Sequence, residues 1–451
     1  MDSRFVKQTN CRQNNLFNIY YIDKYKAILL IMLAIALALR IVALIQLSPY
    51  YNLNNDDMNY IRSAKTFMQN FSITLGGKLT AQIMPGMTWL LSIFLFLFGY
   101  GDLFWLAIKI FWILMGLASI YGVYKLTCRL SGQLSGLISA AFMLSIDYVW
   151  MDNIILTETP FMLLFIFLLE QSVAFVQEKK MSYFWGAFIC YFLSIIIRPN
   201  LVFYPIIFGL YLLINKVNIK NYLRQISIAI VCLLIFFIPW IIRNYIVFTD
   251  FIPFTYGIGN PLLRGTYQGV GFPKDSEINY ETEVRLKLPS KIINGLNEGK
   301  NSSISSYYGM HYDEAKAKYR IIKWWKQNKY SFIKSYLFLK PLLMIKSSFL
   351  WTTILGVNKT DFVGWRIAEF ILFIISFILC VINKKTRINA LLLFIVFFIL
   401  LGSYSCAFAF DRYIQTAFFI EFVMIGCGCA IAYNFFTLLI KKFCFRANEI
   451  K

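Results

Sequence analysis

A single histidine, His311, stands among 451 residues, and that scarcity removes whole classes of chemistry at once. A zinc site built on several histidines is excluded, and so is an ordinary hydrolase triad with a well-supported histidine base. Charge is scarce too: Asp, Glu, Lys and Arg make up only 15% of the chain, which no soluble domain of this length matches. The nine cysteines lie mostly within or beside apolar stretches, with no paired spacing, so neither a disulfide framework nor a zinc motif is visible. Acidic residues number 23 against 44 basic ones, and no low-complexity tract or internal repeat stands out.

What fills the chain instead is apolar: 59% hydrophobic residues, 18% aromatic, and a mean hydropathy of +0.62. Crossing a hydrocarbon layer of about 30 Å takes roughly 20 residues of helix. Stretches from Ala27 to Leu47, Leu103 to Tyr124, Phe161 to Val176, Ile226 to Ile242, Phe370 to Ile382, Leu391 to Phe410 and Phe418 to Ile440 meet or approach that length. The composition therefore predicts an all-α polytopic membrane protein with roughly 10–12 transmembrane helices.

A net charge of +21 raises nucleic acid as a partner, but the basic residues sit in short loops between apolar runs and form no single basic face. Lys24 and Lys26, Lys125 and Arg129, Lys179 and Lys180, Lys216 with Lys220 and Arg224, Lys384 with Lys385 and Arg387, and Lys441 with Lys442 and Arg446 read as cytoplasmic anchors under the positive-inside rule. No nucleic acid is expected; the bilayer is. With those loops inside, residues 1–26 form a cytoplasmic N-terminal segment and 441–451 a cytoplasmic tail. A transmembrane module spans 27–248, with its first external loop at 48–84. External loops over 249–364 form a cap, and 365–440 hold the last helices. The first apolar run has no cleavage site after it and reads as a retained helix. The stretch from Pro85 to Tyr124 is too long for one helix and predicts a partly inserted segment at Pro85 to Phe98. Single helices are expected near Leu134 to Val149 and from about Asp313 to Asn328, and an interfacial amphipathic helix over Phe332 to Leu350.

This orientation puts Asp56 and Asp57, Asp147, Asp152, Glu158, Arg198, Arg243 and the Asp411-Arg412 pair on one external face. Charges beside apolar helices are costly unless paired or wet, so their gathering at one rim points to a site there. The tripeptides Asn70-Phe71-Ser72 and Asn301-Ser302-Ser303 match the glycosylation acceptor pattern, which is too common to carry weight.

Asp56-Asp57-Met58-Asn59-Tyr60-Ile61-Arg62-Ser63-Ala64 resembles the Asp-Glu-x-x-Tyr-x-x-x-Ala motif in the first external loop of the GT-C membrane glycosyltransferases, the group of protein O-mannosyltransferases and lipid A aminoarabinose transferases. Gln82-Ile83-Met84-Pro85-Gly86, Leu156-Thr157-Glu158-Thr159-Pro160, Ile197-Arg198-Pro199, Pro239-Trp240-Ile241-Ile242-Arg243-Asn244-Tyr245 and Asp411-Arg412-Tyr413 are similar to later segments of that family, in the same order. Two departures stand out: Asp57 replaces the usual Glu, and Asn59 stands where the aminoarabinose branch has Arg.

The resemblance implies a GT-C fold and inverting transfer of a sugar from a polyprenyl-phosphate donor to an extracytoplasmic acceptor of unspecified identity. It makes Asp56 the general base, with Asp57 and Glu158 as further catalytic carboxylates. Asp57 is equally readable as a helix-start carboxylate, and Glu158 has the same competing reading before Thr159-Pro160. Arg198, Arg243, Arg264 and Arg412 are candidates for the donor phosphate, which a guanidinium fork suits, although each alone also fits an interface anchor or a carboxylate partner. Tyr60, Arg62 and Tyr413 are the expected substrate contacts. No metal ligand set is expected and no cofactor is required; any divalent cation would be Mg or Mn held by carboxylates. Two alternatives remain open: a lipid-linked-sugar flippase or other transporter, which would bury charges at mid-membrane, and a polysaccharide polymerase of the O-antigen type, which leans on loop arginines.

Overall fold

The computed structural model describes residues 24–449, so the N-terminal segment before Lys24 and the last two residues of the tail lie outside the described residues. Among the described residues, seven helices are long and apolar enough to cross a membrane, and four shorter apolar helices of 10–17 residues accompany them, consistent with the expected 10–12. The chain is a multi-pass membrane protein.

Helix α1 (Lys24–Leu47) contains neither Gly nor Pro and rises about 36 Å, enough to span. Helix α2 (Asp56–Asn70) follows in the first loop and stops at Phe71, which takes the left-handed conformation with φ 57°. A two-stranded hairpin pairs Thr74–Leu75 (β1) with Lys78–Leu79 (β2), its turn made by Gly76 and Gly77, both at positive φ as a tight hairpin requires. Helix α3 (Pro85–Phe98) starts on proline, whose missing N–H loses nothing at a first turn. It is only 14 residues long and breaks at Gly99 before α4 (Asp102–Ser131).

The expected helix near Leu134 to Val149 is two, α5 (Gln133–Phe142) and α6 (Ile146–Met151), separated by Met143-Leu144-Ser145. Helices α7 (Glu158–Glu178), α8 (Met181–Ile197), α9 (Tyr204–Ile214) and α10 (Leu223–Phe248) complete the first module. Helix α7 is the most enclosed span, packed between α4 and α8.

The segment after α10 folds as α11 (Gly259–Gly265), short turns, α12 (Ser290–Glu298) and α13 (Ser305–Gln327). Helix α13 begins earlier than the sequence suggests because Tyr307 packs into a small core with Phe248, Ile252 and Ile292. The expected interfacial helix is α14 (Lys329–Lys334), a π turn (Ser335–Leu339) and α15 (Lys340–Ile345). Its Tyr330, Leu337, Phe338 and Leu342 are exposed, as a membrane-facing side requires, but Lys340 is fully buried.

The C-terminal helices are α16 (Phe362–Ile382), α17 (Arg387–Cys406), the short α18 (Asp411–Gln415) and α19 (Phe419–Glu449). Helix α19 lies tightly on α5 and α16: a Cβ at Gly426 would come within 2.1 Å of Ser139 Oγ, and one at Gly428 within 2.4 Å of Ser376 Oγ. Small residues at such crossings are the usual means of close helix packing in a bilayer.

The expectation that charges gather only at one rim is corrected. Arg40 of α1 is fully buried and pairs with Asp152 at 2.8 Å. Glu170 of α7 takes Arg129 at 2.6 Å and Lys125 at 3.2 Å, and Arg366 of α16 pairs with Glu369 and, at 2.9 Å, with Glu421 of α19. All of these charges except Asp152, which follows α6, sit on spans, and each has an opposite partner, without which it would be strongly destabilising.

Candidate active site

Helix α2 opens on two carboxylates that face opposite ways. Both favour the positive end of the helix dipole. Asp57 is buried, and its carboxylate accepts the backbone N–H groups of Leu53 (2.5 Å), Asn55 (3.1 Å) and Met58 (2.8 Å). Its oxygens are consumed in shaping the loop, so the helix-start reading of Asp57 replaces the catalytic one. Asp56 instead keeps 44% of its side chain exposed and points into a cavity of roughly 600 Å³.

The cavity is built from distant pieces of chain. Tyr60 lies one turn after Asp56 on the same helix face. Glu158 is the first residue of α7 and is completely buried behind the cavity wall. Arg198 follows α8, in the extended conformation that the next residue, Pro199, imposes. Arg412 is the second residue of α18.

These side chains form one chain of charge. Arg412 donates from Nη1 to Asp56 Oδ2 at 2.7 Å and from Nε to Glu158 Oε1 at 2.5 Å. The same Glu158 oxygen accepts Arg198 Nη1 at 2.9 Å. Burial works against the charge on Arg412, but Glu158 and Asp56 outweigh it and its pKa is raised; Glu158 does the same for Arg198. The Tyr60 phenol is pushed well above its ordinary value by burial and then by Asp56, so it stays protonated.

Arg264, carried by α11, reaches the cavity from the cap side and, unlike Arg198 and Arg412, has no carboxylate partner among the described residues. Tyr413 also lines the space, with the Arg198 guanidinium 5.3 Å from its ring centre. Asp411 is turned away, to Lys359 and Trp351.

Two further expected residues lie elsewhere. Arg62 is exposed, because six residues of helix rotate it off the face shared by Asp56 and Tyr60. Arg243 donates to the carbonyls of Thr80 (2.8 Å) and Ile73 (3.4 Å) and to Asn244 Oδ1 (2.9 Å). It heads a separate apolar groove of roughly 270 Å³ lined by Phe67, Trp89, Phe236 and Trp240. Segment 73–85 divides the two spaces: Ile73 and Pro85 face the groove, whereas Leu75, Gln82, Ile83 and Met84 face the cavity.

Several lining residues carry no sequence signal of their own. Asn55, Asn200, Trp351, Phe408 and Phe410 are of this kind, while Gln82 stands inside a segment similar to the family without an assigned role. As for a metal, no three of His, Cys, Asp and Glu gather as ligands among the described residues. Asp56 and Glu158 each hold a guanidinium, a donor set that does not fit a divalent ion.

A sequence profile described as dolichyl-phosphate-mannose-protein mannosyltransferase matches residues 83–242, a segment that includes Glu158 and Arg198. No curated protein sequence matches the chain. Among solved structures, the archaeal oligosaccharyltransferase AglB from Archaeoglobus fulgidus, in complex with an inhibitory peptide and a dolichol-phosphate, is similar over 94% of this chain and 52% of its own, with 13% identity and a TM-score of 0.55. This is the GT-C fold of membrane glycosyltransferases. The GT-C chain described here thus spans about half the length of that relative. ArnT from Cupriavidus metallidurans is similar over 89% of this chain and 77% of its own when bound to undecaprenyl phosphate, at 12% identity and a TM-score of 0.41, a likeness too loose to argue from.

Proposed function

We propose that this GT-C protein transfers a sugar from a polyprenyl-phosphate donor to an acceptor on the extracytoplasmic face of a cell membrane, with inversion at the anomeric carbon. The observation that carries the reading is the Asp56–Arg412–Glu158–Arg198 chain at the wall of the cavity. One oxygen of Asp56 is fixed by Arg412, leaving the other facing the space where an acceptor hydroxyl or amine would enter. As the acceptor attacks the anomeric carbon, its proton passes to Asp56, and the bond from that carbon to the phosphate oxygen breaks with its electron pair staying on phosphate. Polyprenyl phosphate leaves. Arg264, Arg198 and Arg412, which line the same cavity, face the charge that develops there, and Arg198 and Arg412, fixed beforehand by carboxylates, need no reorganisation. The profile match and the dolichol-phosphate bound by the archaeal relative support a polyprenyl carrier. The bias of basic loops supports cytoplasmic termini and an external site.

Asp56→Asn tests the reading. Transfer from a polyprenyl-phosphate sugar falls by about 10²–10⁴-fold, the usual contribution of a general base, while the donor still raises the melting temperature. A second reading, transport of a lipid-linked sugar, is favoured by the buried Arg366–Glu421 pair within the spans. Under that reading Asp56→Asn leaves donor translocation between leaflets unchanged.

A further inference from the structure

The charges around the cavity do not cancel. Asp56, Arg198, Arg264 and Arg412 line it, and Glu158 sits directly behind. Three guanidiniums against two carboxylates leave one positive charge in excess. The other charged groups on the surrounding elements are turned away from the cavity: Asp57 onto the backbone N–H groups of Leu53, Asn55 and Met58, Asp411 onto Lys359, Asp313 onto Lys316 at 2.9 Å, and Lys340 onto the carbonyls of Gly265 (3.2 Å) and Ala407 (2.9 Å).

A donor phosphodiester carries one negative charge and restores neutrality. After it binds, a further charge on the donor has nothing to meet. Asp56 and Glu158, the carboxylates at the cavity among the described residues, are already held by arginines, and Arg264 is taken up by the phosphate. What remains unengaged is uncharged: the amide of Gln82, the amide of Asn55 and the hydroxyls of Tyr60 and Tyr413, set among the rings of Phe408 and Phe410. Amides suit sugar hydroxyls, and ring faces suit the C–H faces of a sugar.

Resting on the glycosyltransferase reading above, we infer that the transferred sugar is uncharged, a plain hexose or pentose, and that the cavity discriminates against amino sugars and against uronic acids. An ammonium group would find both nearby carboxylates already held by guanidiniums, and a uronate carboxylate would find every guanidinium already engaged, so each would be left without a counter-ion.

The test uses the full-length protein in lipid nanodiscs and three polyprenyl-phosphate donors of equal chain length, carrying a neutral hexose, an amino sugar or a uronic acid, with affinity read by thermal shift and direct titration. The neutral donor binds at least about tenfold more tightly than the other two, equal to about 1.4 kcal/mol. Equal or tighter binding of the amino sugar or uronate donor overturns the inference while leaving glycosyl transfer intact; binding of none of the three, by folded protein, overturns both. In Gln82→Glu, a carboxylate added to the wall narrows the gap between the amino-sugar and neutral donors. A folded Gln82→Glu protein with the gap unchanged overturns the charge argument.

Discussion

Gln415 donates from Nε2 to Asp147 Oδ2 at 2.8 Å, joining the short helix that carries Arg412 to the helix after α5, with both side chains buried. Ser348 donates to the same Asp147 oxygen at 3.0 Å, and Tyr148 donates its hydroxyl to the Gln415 carbonyl at 3.3 Å. Only Tyr413 and Ile414 separate Gln415 from Arg412, so this network sets where the guanidinium stands. Asp147→Ala leaves the Gln415 amide without its acceptor and destabilises by about 1–3 kcal/mol. Turnover falls by at least about tenfold, roughly 1.4 kcal/mol of barrier, with the donor dissociation constant nearly unchanged. Asp147→Asn, which keeps an acceptor oxygen, restores most of the turnover. Melting temperature and single-turnover kinetics together check this.

Glu158 holds two guanidiniums at once, so its removal exposes both to each other. Glu158→Ala destabilises by about 3–5 kcal/mol, as loss of one partner from a buried ion pair does. Thermal unfolding of the purified protein measures it. A change below about 1 kcal/mol would show that the pair is dispensable to the fold.

Gly116 of α4 has no room for a side chain. A Cβ there would come 1.9 Å from Asp152 Oδ2, the oxygen that holds Arg40. Gly116→Ala therefore drives the carboxylate off the guanidinium and destabilises by about 3–5 kcal/mol, more than the roughly 1 kcal/mol that glycine ordinarily costs a helix relative to alanine and in the opposite direction. Replacing the pair together, Arg40→Met with Asp152→Ala, takes away both the side chain that a Cβ at position 116 would strike and the charge it would strand, and removes most of that penalty in the Gly116→Ala background. Unfolding temperatures of the three proteins decide it.

Spans were legible because membrane burial demands an unbroken apolar run, and that demand is written into composition itself. The breaks were less so. Met143-Leu144-Ser145 contains neither Gly nor Pro, and only packing of α5 against α19 and of α6 against α1 explains why the helix stops there. Within the site, Asp56, Glu158, Arg198, Arg264 and Arg412 come together, as the sequence suggested. Asp57 misled because sequence cannot tell which of two adjacent carboxylates turns back to its own loop. Arg243 misled because, besides its neighbour Asn244, its partners are backbone carbonyls, which leave no trace in residue identity. Arg40 could have been flagged: a lone arginine inside an apolar span requires an opposite charge, and Asp152 was available.

Two groups outside the spans make stability depend on pH in the same sense. Burial pushes the Lys340 ammonium down to about 7, and burial lowers the His311 imidazole below its ordinary value. In each case the unfolded chain binds the proton more readily than the folded one. The sign of linkage then makes stability rise with pH, for His311 as pH climbs to about 6.5 and for Lys340 between about 7 and 10.5. Thermal unfolding of the wild-type protein shifts upward from pH 7 to pH 9.5, and Lys340→Met abolishes that upper part of the rise. A melting temperature of Lys340→Met that climbs as steeply as wild type would count against this assignment.

The guanidinium of Arg412 is 356 positions from Asp56 and 254 from Glu158 along the chain. A nascent polypeptide therefore exposes Asp56 to the membrane long before Arg412 leaves the ribosome, whereas Glu158 meets Arg198 only 40 positions on. Until α18 is made, Asp56 lacks its cation and Glu158 has only Arg198, so the chain of charge along the cavity wall is completed late.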